Sequence, residues 1–295
     1  MKQPKSRSVV ITGASSGIGA ACARHLDALG FHVFASVRRV EDGERLRLDS
    51  SPRLTPIILD VTDSTSIAAA TQVIASAVHT EGLAGLVNNA GISVVFPLEF
   101  VPVETLRQQL EVNVLGQVAV TQSLLPHLRQ GNGRIVNIGS IAGRAALPLF
   151  GPYAASKFAL EAISDALRVE LRPWNIHVAI VEPGHVATPI WQRSLAFADQ
   201  LMDAAPPQIH AFYSLQAHAL RTYATTVRGA SVDPVVRAVE HALIARRPRR
   251  RYLVGLDAVM LVMVGALPGR LRDRIVGQLF SSERLLAMFA RMCGV

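Results

Sequence analysis

The chain has 295 residues, half of them hydrophobic and only 18% charged, with a formal net charge of +8. That is enough apolar material for one sizeable core, and it rules against bulk disorder. Cys22 and Cys293 stand far apart with no C-x-x-C spacing, and the nine histidines are scattered, so neither a disulfide framework nor a metal site is encoded.

The opening Met1-Lys2-Gln3-Pro4-Lys5-Ser6-Arg7 lacks the apolar core of a signal peptide, and the expectation is a soluble cytoplasmic protein. Ser8–Thr12 reads as a buried strand, Gly17–Leu29 as a helix stopped by Gly30, and Phe31–Ser36 as a second strand. Leu54–Leu59 is a third strand, followed by a helix over Ser64–Thr80 with Ser64 as its candidate N-cap. Leu83–Val87 is a fourth. A long helix is predicted over Val103–Leu128, with an interruption at Gly116. Arg134–Ile138, a helix over Pro152–Leu171 and the strand Ile176–Val181 follow. Cys22 falls in the first helix and reads as a small core residue.

After Gly184 the pattern changes. Thr188–Ser231 reads as one or two short helices over a cleft, Asp233–Ala245 as a helix, and Tyr252–Val254 as a last strand. The chain from Asp257 reads as helical with a break at Pro268-Gly269. Continuous apolar strands alternating with helices imply a parallel sheet buried on both faces. The expected class is α/β, a doubly wound sheet of about seven strands. The predicted division is a main domain over 1–255, with a lid at about 188–231, and a C-terminal helical extension over 256–295.

Arg246, Arg247, Arg249, Arg250 and Arg251 concentrate positive charge. They read first as a solvated basic turn. Tyr252 is the one aromatic beside them and no groove-reading motif accompanies them, so nucleic acid is not an expected partner. The apolar Met260–Leu267 reads first as a buried helix or an oligomer contact. Peripheral membrane contact through this C-terminal segment is the second reading.

Thr12-Gly13-Ala14-Ser15-Ser16-Gly17-Ile18-Gly19 joins the first strand to the first helix. Glycines let the chain turn sharply and a pyrophosphate approach the backbone, while the helix N-terminus offers free N–H groups. The second strand runs into Val37-Arg38-Arg39. An arginine there accommodates a 2′-phosphate, so NADP(H) is expected, with Arg38 as the main contact. Glu41 and Asp42 keep NAD(H) open.

Tyr153-Ala154-Ala155-Ser156-Lys157 places a phenol and an ammonium one helical turn apart. A nearby ammonium favours the phenolate, so Tyr153 is expected to have a lowered pKa and to exchange a proton with a substrate oxygen. Ser140 ends the fifth strand, where open α/β sheets bind ligands, and can bond the same oxygen. Asn113 is a poor helix former among apolar neighbours, which points to a buried structural or catalytic role.

These elements, in this order, resemble the short-chain dehydrogenase/reductase family and, within it, the hydroxysteroid and retinol dehydrogenase group. The likeness runs from Thr12–Gly19 through Asp60, Asn88-Asn89-Ala90-Gly91, Asn113, Ser140 and Tyr153–Lys157 to Pro183-Gly184 and Thr188. It implies a Rossmann-type fold. Tyr153 would be the general acid/base and Lys157 would hold the nicotinamide ribose. Ser140 would polarise the carbonyl, and Asn113 would anchor a water in a proton relay. Gly13, Ser15, Ser16, Gly17, Ile18 and Gly19 would cradle the phosphates. Asp60 and Val61 would flank the adenine. Asn88, and with it Asn89, Ala90 and Gly91, would pack beside the cofactor. Pro183, Gly184, Val186 and Thr188 would line the nicotinamide side.

The resemblance further implies a bulky hydrophobic substrate and a homodimer or homotetramer. Leu147, Leu149, Phe150, Val94, Phe96, Ile190, Trp191 and residues of the 195–225 segment are candidates for an apolar pocket. An NAD-dependent alcohol dehydrogenase of the same family and a non-catalytic dinucleotide-binding regulator are the alternatives. The presence of all four of Asn113, Ser140, Tyr153 and Lys157 argues against the regulator.

Overall fold

A computed structural model describes residues 7–226 and 229–281. Seven parallel strands form one sheet, β1 (Ser8–Ile11), β2 (His32–Val37), β3 (Leu54–Ile58), β4 (Gly85–Asn88), β5 (Arg134–Ile138), β6 (His177–Pro183) and β7 (Arg251–Val254), in the order β3-β2-β1-β4-β5-β6-β7. The strand order reverses between β1 and β4. That reversal opens a crevice at the C-terminal ends of the strands.

Side chains alternate across each strand, so one sequence feeds two cores. Val9, Ile11, Val33, Ala35, Val136 and Val181 pack on one face against α1 (Gly17–Ala28) and α9 (Asp233–Ile244). Val10, Phe34, Leu86, Ile135 and Val178 pack on the other against α3 (Ser64–Val78) and α5 (Gly116–Gly131). Cys22 is fully buried in the first core, and burial pushes its thiol up to about 12.

Several local expectations change. α2 (Val40–Leu48) is an unexpected helix. Its buried residues are Gly43 and Leu46, too few for an apolar stripe to show in the sequence. The N-cap of α3 is Asp63, not Ser64, because the Asp63 carboxylate accepts from the Thr65 N–H at 2.8 Å. Asp63→Ala should therefore cost about 1 kcal/mol in urea unfolding. Ser64→Ala, at an exposed first-turn position, should stay within about 0.5 kcal/mol of wild type.

The long helix does not break at Gly116. It runs as α4 (Val103–Leu110), a π-helical segment (Glu111–Leu115) and α5, so the irregularity lies just before the glycine. A π-helical turn re-aims the side chains that follow and recurs at functional sites.

The lid occupies the expected span, but its helices are longer than expected. It holds α7 (Pro189–Asp203) and α8 (Gln208–Thr226), of 15 and 19 residues, and a parallel bridge between Val186 and Ala230 draws its ends together. α6 (Gly151–Glu170) carries the tyrosine–lysine pair. Beyond β7, α10 (Leu256–Gly265) and α11 (Gly269–Phe280) return toward the crevice. Residues 282–295 of the expected extension, Cys293 among them, lie outside the described residues.

The arginine run and the apolar α10 are neighbours in sequence but lie at opposite ends of β7, which spans roughly 13 Å at about 3.3 Å per residue. Arg251 is not part of a solvated turn. It pairs with Glu161, with Glu182 at 2.8 Å and with Asp165 at 2.8 Å. Among the described residues, no helix is long and apolar enough to cross a membrane.

Candidate active site

Backbone and side-chain bonds stitch the loop after β1 to its neighbours. Gly13 N donates to Ser36 Oγ at 3.1 Å and Ala14 N to Ser36 O at 2.7 Å. The Thr12 hydroxyl accepts from the N–H groups of Asn89 and Ala90, both at 2.9 Å. Gly13 and Gly17 have φ of +65° and +56°, a region that penalises any side chain with a Cβ. The tight, left-handed path leaves the start of α1 open toward the crevice, and Ser16 at its N-cap makes no side-chain capping bond.

One cavity of about 890 Å³ runs along the crevice. Gly13, Ser15, Ser16, Gly17, Ile18, Arg38, Asp60, Val61, Asn89, Ala90 and Gly91 line its first half. Ser140, Tyr153, Lys157, Pro183, Gly184, Val186 and Thr188 line the second. Gly19, Asn88 and Asn113 stand behind the wall. Gly19 packs against Gly13 O and Asn89. Asn88 is buried and donates to Thr121 Oγ1 and Asn137 Oδ1, both at 2.9 Å. It ties β4 to α5 and β5 instead of facing the cavity, and its neighbour Asn89 takes the exposed position.

Asn113 is fully buried in the π-helical segment. Its Oδ1 accepts from Ile92 N at 2.8 Å, and its Nδ2 donates to Ile92 O at 2.9 Å and Ser156 Oγ at 3.0 Å. This clamp fixes the Ile92 wall of the cavity and docks it on α6, one residue before Lys157.

The expected lowering of the tyrosine pKa is not what the fold produces. Burial pushes the Tyr153 phenol up to about 12, and a hydrogen bond with Ser140 opposes this. The Lys157 ammonium lies 5.6 Å from the centre of the phenol ring and donates to Ile138 O at 2.8 Å. Burial pulls Lys157 down to about 8, against the carboxylate of Glu161 one turn further along α6. Desolvation thus outweighs the Ser140 bond, and the phenol keeps its proton at neutral pH.

The other end of the cavity is apolar. Leu147, Phe150, Ile190, Trp191 and Leu220 line it, as the sequence suggests. Leu149 does not. It is buried at φ +68°, with its carbonyl accepting from Phe96 N at 2.9 Å. Val94 and Phe96 belong to a separate cluster around Ile209 beneath the lid. Sequence reasoning missed His185, Arg193, Asp257, Leu261, Val276 and Phe280. No local spacing marks Asp257, Leu261, Val276 and Phe280, because α10 and α11 reach the cavity only through the fold; His185 and Arg193 lie close to residues that the sequence does mark.

The residues present fit a dinucleotide on structural grounds. The glycine loop leaves a helix N-terminus facing the cavity, which suits a pyrophosphate. Lys157 uses one donor on Ile138 and has two more for ribose hydroxyls. At the adenosine end Arg38, Arg39 and Arg45 line the cavity together with Asp42, whose carboxylate pairs with Arg45. Burial raises the Asp60 carboxyl, but bonds from the Thr62 N–H and hydroxyl and the charge of Arg38 outweigh it and hold it below the ordinary range.

Known proteins share this arrangement. A 17-beta-hydroxysteroid dehydrogenase type 6 from Bos taurus is 40% identical over 277 residues, covering 91% of this chain and 87% of the relative. Retinol dehydrogenase 16 from Homo sapiens is 39% identical over 288 residues, covering 92% and 88%. A crystal structure of a short chain dehydrogenase from Burkholderia cenocepacia J2315 in complex with NADP superposes with a TM-score of 0.71 at 26% identity, covering 93% of this chain and 99% of that one. The family model for short chain dehydrogenases matches residues 7–198, a span that takes in the glycine loop, Asn113, Ser140 and the Tyr153–Lys157 pair. With the doubly wound sheet beneath that span, the chain belongs to the short-chain dehydrogenase family of oxidoreductases.

Proposed function

We propose that this protein is an NADP(H)-dependent oxidoreductase acting on a carbonyl or secondary alcohol of a hydrophobic, steroid-, retinoid- or lipid-like molecule, with carbonyl reduction as its working direction. The observation that carries the reading is one continuous cavity. It has arginines at the adenosine end, a partly buried, protonated phenol at the centre, and Leu147, Phe150, Trp191, Leu261 and Phe280 at the far end. The names of the steroid and retinol relatives support the same substrate class.

Hydride would come from a nicotinamide held in this cavity. Tyr153, which holds its proton at neutral pH, gives it to the substrate oxygen. Ser140 bonds the same oxygen and orients it. Lys157 holds the ribose with its remaining donors. Asn113 keeps Ile92 and α6 in register. The loop from Gly13 to Gly19 receives the phosphates. Asp60, Val61, Asn89, Ala90 and Gly91 border the adenosine side, and Pro183, Gly184, Val186 and Thr188 the nicotinamide side. Apolar walls exclude water, so these polar contacts act at reduced dielectric.

The cofactor preference rests on Arg38 and its arginine neighbours, and the NADP held by the Burkholderia relative supports it. Charge-assisted bonds to a phosphate contribute about 1.5–3 kcal/mol. Initial rates on a panel of hydrophobic ketones should therefore give a kcat/KM with NADPH about tenfold or more above that with NADH. Arg38→Asp should reverse the order. Equal efficiencies in the wild type, or an unchanged preference in the variant, would remove the assignment.

A further inference from the structure

Arg193 sits on the second turn of the lid helix α7, far in sequence from the glycine loop, yet its Nη2 donates to Ser16 Oγ at 3.2 Å. Two further contacts fix α7 in this position. The next residue, Ser194, is buried and donates to Ser93 O at 2.7 Å on the opposite rim of the crevice. At the start of the helix, Thr188 packs on Gly17 so closely that a Cβ there would lie 3.2 Å from the threonine side chain. The lid therefore spans the crevice from the β4 side to the glycine loop, with the guanidinium facing the same cavity as Gly13, Ser15, Ser16 and Gly17.

The charges at this point do not balance. The N-terminus of α1 carries the positive end of its dipole, and its first turn holds no acidic residue. The first turn of α7 holds none either. A guanidinium is thus brought against a positive helix end with a neutral hydroxyl between them. An anion at that place would satisfy both.

We propose that Arg193 is a pyrophosphate clamp carried by the lid. It bonds Ser16 in the free protein and turns to the phosphates of the dinucleotide when the cofactor binds, which strengthens the hold of α7 across the crevice. A guanidinium–phosphate bond joins opposite charges and can be bidentate, so it is stronger than the guanidinium–hydroxyl bond it replaces, and the exchange favours the lid-down position. The proposal rests on the dinucleotide reading of the cavity and adds to it a residue from outside the glycine loop.

The test is a set of dissociation constants for NADPH, NADH and 2′-AMP, read by fluorescence or calorimetry on wild type, Arg193→Ala and Arg193→Gln. Both variants should weaken NADPH and NADH by the same factor, about tenfold. They should leave 2′-AMP unchanged, since it has no pyrophosphate. The difference from wild type should narrow as salt is added. Unchanged affinity for both dinucleotides overturns the clamp. A loss confined to NADPH also overturns it, because it would assign the arginine to the 2′-phosphate. A wild type that binds neither dinucleotide overturns the cofactor reading itself, a separate result. The side chain is exposed and makes one bond, to a neutral hydroxyl, so thermal unfolding of the free variants should match wild type and exclude misfolding.

Discussion

Replacing Tyr153 by phenylalanine should lower kcat by about a thousandfold and leave dinucleotide affinity close to that of the wild type. The substitution removes one oxygen. The ring stays in place against Val95, Leu149, Phe150 and Leu220, so the pocket keeps its shape. What disappears is the one group in this cleft that is both deep enough to hold a proton near pKa 12 and bonded to Ser140. Lys157 is not placed to take over, because its ammonium lies over the face of the ring, bonded to Ile138 O, with its other donors assigned to the ribose. Steady-state rates and a fluorescence titration of the same preparation separate the two effects. Activity within tenfold of wild type would show that the proton comes from elsewhere, and the proposed chemistry would have to be rebuilt.

The second large effect is expected at Gly19. A Cβ at this position would lie 2.4 Å from Gly13 O and 2.5 Å from Asn89 Nδ2. Neither neighbour is free to move. Asn89 Nδ2 donates to Thr12 O at 2.9 Å and to Gly13 O at 3.0 Å, and these bonds fix the loop to β4. Gly19→Ala must therefore displace α1 or break that stitching. Overpacking and lost bonds together should cost roughly 2–4 kcal/mol. Dinucleotide affinity should fall with the loop geometry, by well over tenfold. Gly269→Ala is the matched control. Nothing lies within 4 Å of a Cβ there, and it should be neutral or slightly stabilising. Urea unfolding and cofactor titration of both variants check the contrast. A fully stable Gly19→Ala that binds NADPH normally would mean that the close packing of helix and loop is not needed.

Much of the site was legible because its residues are close in sequence or fixed by strand ends. An i, i+4 spacing puts Tyr153 and Lys157 on one face of α6 whatever the rest of the chain does. The continuous apolar strands also pointed to a sheet buried on both faces, and Val9 and Val10 do pack on opposite faces of β1. Asn113 drew notice as a polar residue in an apolar helix, and it is buried.

The misses share one cause. α2 has a single buried leucine, so its helix depends on packing over β2 and β3 and not on a stripe of its own. Asn88 and Asn89 are adjacent, and only the register of β4 between β1 and β5 decides that the first is buried and the second reaches the cavity. Arg193 and Asp257 come from a lid and a tail whose distance along the chain conceals their place at the cavity.

From its amino acids alone, this protein showed a parallel α/β sheet, a phosphate-binding turn, and a phenol–ammonium pair beside a serine, because each depends on neighbours within a turn or a strand. Tertiary structure decided the direction in which the pKa of that phenol moves, the packing of the lid helices and the residues that complete the cavity. Those depend on how much water is excluded and on which distant segments are brought together, and no local pattern records either quantity.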